Sequence, residues 1–82
     1  MSLPAETESR IREVMSQVLE LDPAAIHDGF SRADAPLWSS LNHLQMVSAL
    51  EEAFGITFTM KEVGEMERFD SIRRLIAARL QG

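Results

Sequence analysis

Apolar residues recur at threes and fours in separate stretches of the chain and lose that rhythm between them. In residues 6–21, Ile11, Val14, Met15, Val18 and Leu19 follow the i, i+3, i+4, i+7, i+8 series of one helical face, which predicts a first helix. It should stop near Leu21, Asp22 and Pro23, since proline disfavours helical geometry in the residue before it and lacks the N–H that a continuing helix needs. From Asp22 to Ser39 the pattern is irregular, with two prolines, a glycine and three aspartates, and predicts an eighteen-residue connection anchored by Ile26, Phe30 and Leu37. A second helix is predicted from about Ser40 to Phe54, with Leu41, Leu44, Val47, Leu50 and Phe54 on its apolar stripe and Gly55 at its end. Ser39 and Ser40 both carry hydroxyls suited to capping its start.

The remaining elements follow from capping signals. Thr59, Met60, Lys61 and Glu62 fit a capping box, opening a short helix through about Met66 with Val63 and Met66 turned inward. Asp70 is expected to cap a last helix carrying Ile72, Leu75, Ile76 and Leu80. Residues 56–58 alternate like a strand, but with no second strand to pair they read as an extended connector. The expected fold is all-α: three long helices, one short helix and a long first loop in a single bundle spanning residues 1–82. Residues 1–4 are expected to lie outside the folded unit, as a flexible or vector-derived leader, and residues 81–82 to fray.

Composition narrows the function. The chain has 82 residues, enough for one domain with a thin core, and no cysteine, which removes thiol nucleophiles and thiolate metal sites. Its net charge of −5 makes nucleic acid and anionic lipid poor partners. No stretch approaches about 18 consecutive apolar residues and no basic-then-apolar segment opens the chain, so neither a spanning helix nor a signal peptide is expected, and the expected location is cytoplasmic. Charge is uneven: residues 40–67 carry five acids and one base, whereas residues 68–82 carry one acid and four bases. Arg73, Arg74 and Arg79 are expected on a solvated face of the last helix, near the negative end of its dipole.

Candidate chemistry is sparse. Ser40 and His43 stand at i, i+3 and could meet on one helix face, but a nucleophile needs an oriented base and oxyanion donors that the neighbouring residues do not supply. His27 and His43 have no carboxylate cluster at ligand spacing, and both are expected at the surface. The four glycines are too scattered for a phosphate loop. What remains is a serine at the start of an amphipathic helix, behind a long loop, where a phosphodiester would face first-turn N–H groups and the positive end of the dipole. By these patterns alone, Ser40 reads simply as a helix cap or first-turn residue.

The run Trp38–Ile56, with Ser-Leu at 40–41, apolar Leu44 and Leu50-Glu51 leading to Phe54 and Ile56, resembles the attachment region of acyl carrier proteins. The likeness extends over nearly the whole chain. Residues 10–21 are similar to that family's first helix, residues 22–26 to its exit into the long loop, and residues 69–72 to its entry into the last helix. The stretch after Trp38 is particularly similar to small stand-alone carriers encoded beside polyketide, nonribosomal-peptide or unusual acyl-transfer enzymes, and the pathway stays open among polyketide, nonribosomal-peptide and fatty acid biosynthesis.

The resemblance implies that Ser40 receives 4′-phosphopantetheine from coenzyme A through a separate phosphopantetheinyl transferase, making the chain a phosphoprotein. An acyl or aminoacyl cargo then rides as a thioester on the arm, and loading and acyl-transfer enzymes act on it. It implies a non-enzymatic carrier; a monomer is expected by default, since short loops and a closed bundle give no oligomer seam. Partner contacts would fall on Trp38, Ser39, Leu41, Met46 and Glu62; Trp38 reads rather as a loop anchor, because a large aromatic buries most of its area, and Met46 equally as an edge-of-core residue. Ser39 stands where the family usually has aspartate, and Asn42 and Gln45 where many members have acids, so residues 40–50 hold no carboxylate. Electrostatic steering of basic partners should then come from Glu51, Glu52, Glu62, Glu65 and Glu67. That departure keeps a second reading open, an unprimed carrier-like interaction module. The triplet at 70–72 copies the attachment triplet by letter, but it opens the basic last helix without a long preceding loop, so Ser71 reads as a decoy. A thin core with Met15, Met46, Met60 and Met66 suits a small cargo.

Overall fold

The computed structural model describes residues 3–81. Four α-helices occur among them: α1 (Ala5–Leu19), α2 (Ser40–Phe54), the short α3 (Met60–Glu65) and α4 (Phe69–Leu80). The connection between α1 and α2 holds two single 3₁₀ turns, Pro23–Ala25 and Arg32–Asp34. Residues 56–58 form no strand and serve as the extended connector into α3.

Both long N-terminal helices end by the same device. At Glu20 and Gly55 the backbone turns left-handed, with φ of 56° and 65°, and the last carbonyls are recaptured. Glu20 and Leu21 N–H groups both donate to Ser16 O, while those of Gly55 and Ile56 donate to Glu51 O. The α1 stop therefore precedes the one that Pro23 predicts. The chain starts earlier than anticipated too, since Leu3 packs into the core and Pro4 O accepts from Thr7 and Glu8 N–H. Met1, Ser2 and Gly82 lie outside the described residues.

The core is built from Ile11, Met15 and Leu19 of α1, Met46, Val47 and Leu50 of α2, Met66 after α3, and Phe69, Ile72 and Ile76 of α4. Burying each side chain contributes about 1.5–3 kcal/mol. Helix α2 is rotated from the expected stripe: Leu41 and Leu44 are 66% and 54% exposed, while His43 and Met46 point inward. At roughly 100° per residue, the inward set 43, 46, 47, 50 and 54 spans about 100° of the helix circumference, against about 180° for the stripe with Leu41 and Leu44. The narrower arc fits a neighbour more closely, and His43 finds buried partners that make its inward position affordable.

The long loop is pinned at several points. Ile26, Phe30, Ala35 and Trp38 are buried, whereas Leu37, an expected anchor, is exposed. Arg12 of α1 donates from Nε to Ile26 O at 2.8 Å and lies over the Phe69 ring, so one side chain ties α1 to the loop and α4. The segment after Phe30 pairs briefly with the entry to α4: Arg32 N–H donates to Glu67 O and Phe69 N–H to Phe30 O, each at 2.9 Å.

Helix α4 departs from the expected cap and charge pattern. Arg68 occupies the cap position without a side-chain bond, and Asp70 instead accepts from Arg73. Arg73 also reaches Glu8 of α1, and Arg79 pairs with Glu62 and donates to Thr57 O, so of the three arginines only Arg74 is fully exposed. Their partners on α1, α3 and the connector draw two of them off the solvated face. The hydrogen bond to Asp70, foremost, raises the pKa of Arg73 above its ordinary value. Leu80 is exposed, as is Met60, which therefore takes no part in the methionine-rich core.

Candidate functional site

The two serines at the start of α2 hold different positions. Ser39 is the N-cap: its backbone is extended, and its Oγ accepts from Asn42 N–H at 3.1 Å while its carbonyl accepts from His43 N–H at 2.8 Å. Ser40 is the first helical residue, with its side chain exposed. The Asn42 side chain turns back to donate to Leu37 O at 2.6 Å, closing the loop onto the first turn. No acidic residue lies in that turn.

Beside Ser40 stands Arg32. Its Nε donates to Trp38 O at 3.0 Å, Nη1 faces Glu67 Oε1 at 3.2 Å, and Nη2 lies 3.5 Å from Ser40 Oγ. Sequence reasoning missed this residue, for an arginine eight positions upstream in an aperiodic loop has no spacing rule that brings it to a helix start.

Beneath the site lies a buried polar chain. Trp38 Nε1–H donates to His43 Nδ1 at 2.8 Å, and His43 Nε2 lies 2.8 Å from Val63 O. An indole N–H can only donate, so Nδ1 is the acceptor; the neutral imidazole then carries its proton on Nε2 and gives it to the Val63 carbonyl. His43 is buried rather than at the surface, with both ring nitrogens committed, and is not placed to serve Ser40 as a base. Trp38 is 4% exposed and stacks with Phe30 at a centroid distance of 6.0 Å. His27 is exposed, and its Nδ1 accepts from Gly29 N–H.

The expected partner residues divide accordingly. Ser39 and Leu41 are exposed beside Ser40. Trp38 takes the loop-anchor place rather than a partner contact, and Met46 is corrected to a core residue: the wheel centred on Leu41 and Leu44 put Met46 at a half-exposed edge, but the rotation of α2 closes over it completely. Glu62 is engaged within the molecule, accepting from Thr59 N–H at 2.9 Å in a capping box and pairing with Arg79. The capping hydrogen bond from Thr59 N–H, foremost, and the Arg79 charge hold its carboxyl below the usual range. The acidic field expected along this side is further reduced because the exposed Glu67 faces Arg32 and Glu51 accepts from Phe58 N–H, leaving Glu52 and Glu65 as the exposed acids outside these contacts. Ser71 is the third residue of α4, 3.4 Å from Arg74 Nη2, and only a short connection from α3 precedes that helix.

The hydroxyl of Ser40 is accessible, faces the open first turn of a fifteen-residue helix, and has a guanidinium nearby. Those features would suit a phosphodiester on this Oγ: the positive end of the α2 dipole and the Arg32 guanidinium lie beside it, and the first turn holds no acid. No group of three or more potential metal ligands exists among the described residues. No helix among them is long and apolar enough to cross a membrane.

The described residues thus form a small helical bundle with an exposed serine at the start of α2 and His43 turned into the core. Residues 9–78 match the family described as phosphopantetheine attachment site, and the chain belongs to that family, consistent with an acyl carrier protein. Its prosthetic group is 4′-phosphopantetheine. Carrier domains of this family are generally not catalytic themselves and work with transferases and biosynthetic enzymes.

Proposed function

We propose that Ser40 is the attachment residue and that the chain holds an acyl or aminoacyl intermediate as a thioester for the enzymes of a cytoplasmic biosynthetic pathway, acting as a monomer with no catalysis of its own. The carrying observation is the division of labour between the two serines. Ser39 Oγ is occupied in capping α2, whereas Ser40 Oγ is exposed and meets only the long contact with Arg32. In priming, Ser40 Oγ would form a bond to the phosphorus of coenzyme A that bears pantetheine. The pyrophosphate linkage would break, adenosine 3′,5′-bisphosphate would leave, and the hydroxyl proton would pass to a base on the transferase. Ser39, the exposed Leu41 and the neighbouring Leu44 would then meet partners on the same face, where the rotation of α2 leaves the two leucines outside. The closely packed bundle favours a short cargo.

The test is intact mass after incubation with coenzyme A and a broad-specificity phosphopantetheinyl transferase. Wild type and Ser39→Ala should each gain one phosphopantetheinyl group and Ser40→Ala none, with Ser39→Ala losing about 1 kcal/mol of stability through the cap. Modification of Ser40→Ala would move the site elsewhere. No gain in wild type, beside a known carrier that is labelled, would favour the unprimed interaction module, the reading that Ser39 in place of aspartate supports.

A further inference from the structure

We infer that Arg32 is a binding residue for the phosphodiester of the prosthetic arm, an internal cationic clamp that holds the arm's first group against the start of α2. The inference rests on Ser40 being the attachment residue. Three observations carry it. First, the guanidinium is oriented by contacts within the bundle. Its Nε is fixed on Trp38 O at 3.0 Å, its Nη1 on Glu67 at 3.2 Å, and its own backbone N–H on Glu67 O at 2.9 Å. Trp38 is itself immobilised by burial and by its bond to His43. Little side-chain freedom remains to be lost on binding.

Second, the nitrogen left over is the one aimed at the attachment atom. At 3.5 Å, Nη2 to Ser40 Oγ is the weak limit of a hydrogen bond, so the neutral hydroxyl uses this donor poorly. A phosphodiester on the same Oγ places anionic oxygens two bonds further out, where the contact becomes charge-assisted. Third, α2 contributes no acid to its own first turn, so Glu67 is the carboxylate that shares the guanidinium, and it does so from the opposite nitrogen.

The experiment compares apo and fully primed protein, with priming verified by mass, for wild type, Arg32→Gln, Arg32→Lys and Glu67→Gln, by ³¹P NMR and thermal unfolding. In wild type the phosphodiester resonance should be broadened by its hold on the bundle, and priming should raise Tm by an amount that shrinks with added salt. Arg32→Gln should narrow and shift the resonance and remove about half or more of the Tm gain. Arg32→Lys should fall between, because it keeps the charge but not the fork. Glu67→Gln frees the guanidinium from its competitor and should enlarge the gain although the apo protein is weakened. A merely structural role for Arg32 would lower apo and holo stability equally. Equal Tm gains and unchanged ³¹P signals across the set would overturn the inference while leaving the carrier reading intact; failure of wild type to gain mass would instead remove the reading on which it rests. Should Arg32→Gln not fold, the Arg32→Lys and Glu67→Gln pair decides, by shifts in opposite directions.

Discussion

At the scale of single residues, the molecule separates polar groups that hold the fold from polar groups left for chemistry. Trp38, His43 and the Val63 carbonyl form a satisfied buried chain joining the loop, α2 and α3, and no buried side-chain nitrogen or oxygen among the described residues is left without a partner. Removing the donor while leaving the acceptor should therefore be costly. Trp38→Phe is expected to lose about 1–3 kcal/mol from the orphaned Nδ1, in addition to lost packing. The Trp38→Phe/His43→Phe double variant should be less destabilised than the sum of the singles, as measured by urea unfolding followed by circular dichroism. Additive losses would deny the coupling. This chain was illegible in the sequence because a histidine reads as polar in any periodicity, and its burial depends on partners five and twenty positions away.

At the scale of elements, helix positions followed local chemistry while helix rotation did not. The range of α2, Ser40–Phe54, agrees with its sequence signals because serine and glycine mark its ends by side-chain capping and left-handed backbone, both local effects. Its rotation is set by what α1, α3 and the loop offer. The difference predicts opposite outcomes for two neighbouring apolar positions: Met46→Ala should cost about 2–5 kcal/mol, whereas Leu44→Ala should stay within about 0.5 kcal/mol. Denaturant midpoints at constant m measure both, and a large loss at Leu44 with little at Met46 would restore the wider stripe. Leu41 and Leu44 are consequently exposed rather than part of the core.

For the whole molecule, ion pairs between distant segments complete the bundle. Glu62 links α3 to α4 through Arg79, and Arg73 and Arg12 draw Glu8 and Asp28 toward Phe69. Because the Glu62 carboxyl lies below its ordinary value of 4.5 in the folded chain, its contribution is fully present above that value and is lost as pH falls through the lower folded one. Thermal scans across that acid range should show Tm declining, with a shallower decline in Glu62→Gln. That variant keeps the capping-box acceptor but loses the charge opposite Arg79. An unchanged slope would assign the acid sensitivity to other carboxyls.

The sequence by itself determined the class of fold, the helix order and the short α3 with its capping box, because capping, turn chemistry and apolar period act over a few residues. It also carried the family resemblance, which the match over residues 9–78 bears out. Only the tertiary structure decided which face of α2 is buried, that Trp38 and Met46 belong to the core, that Glu62 is tied to Arg79, and that Arg32 stands beside Ser40. Each of these depends on contacts between segments far apart in the chain, where a side chain's place is fixed by the partner it finds rather than by its spacing from its neighbours.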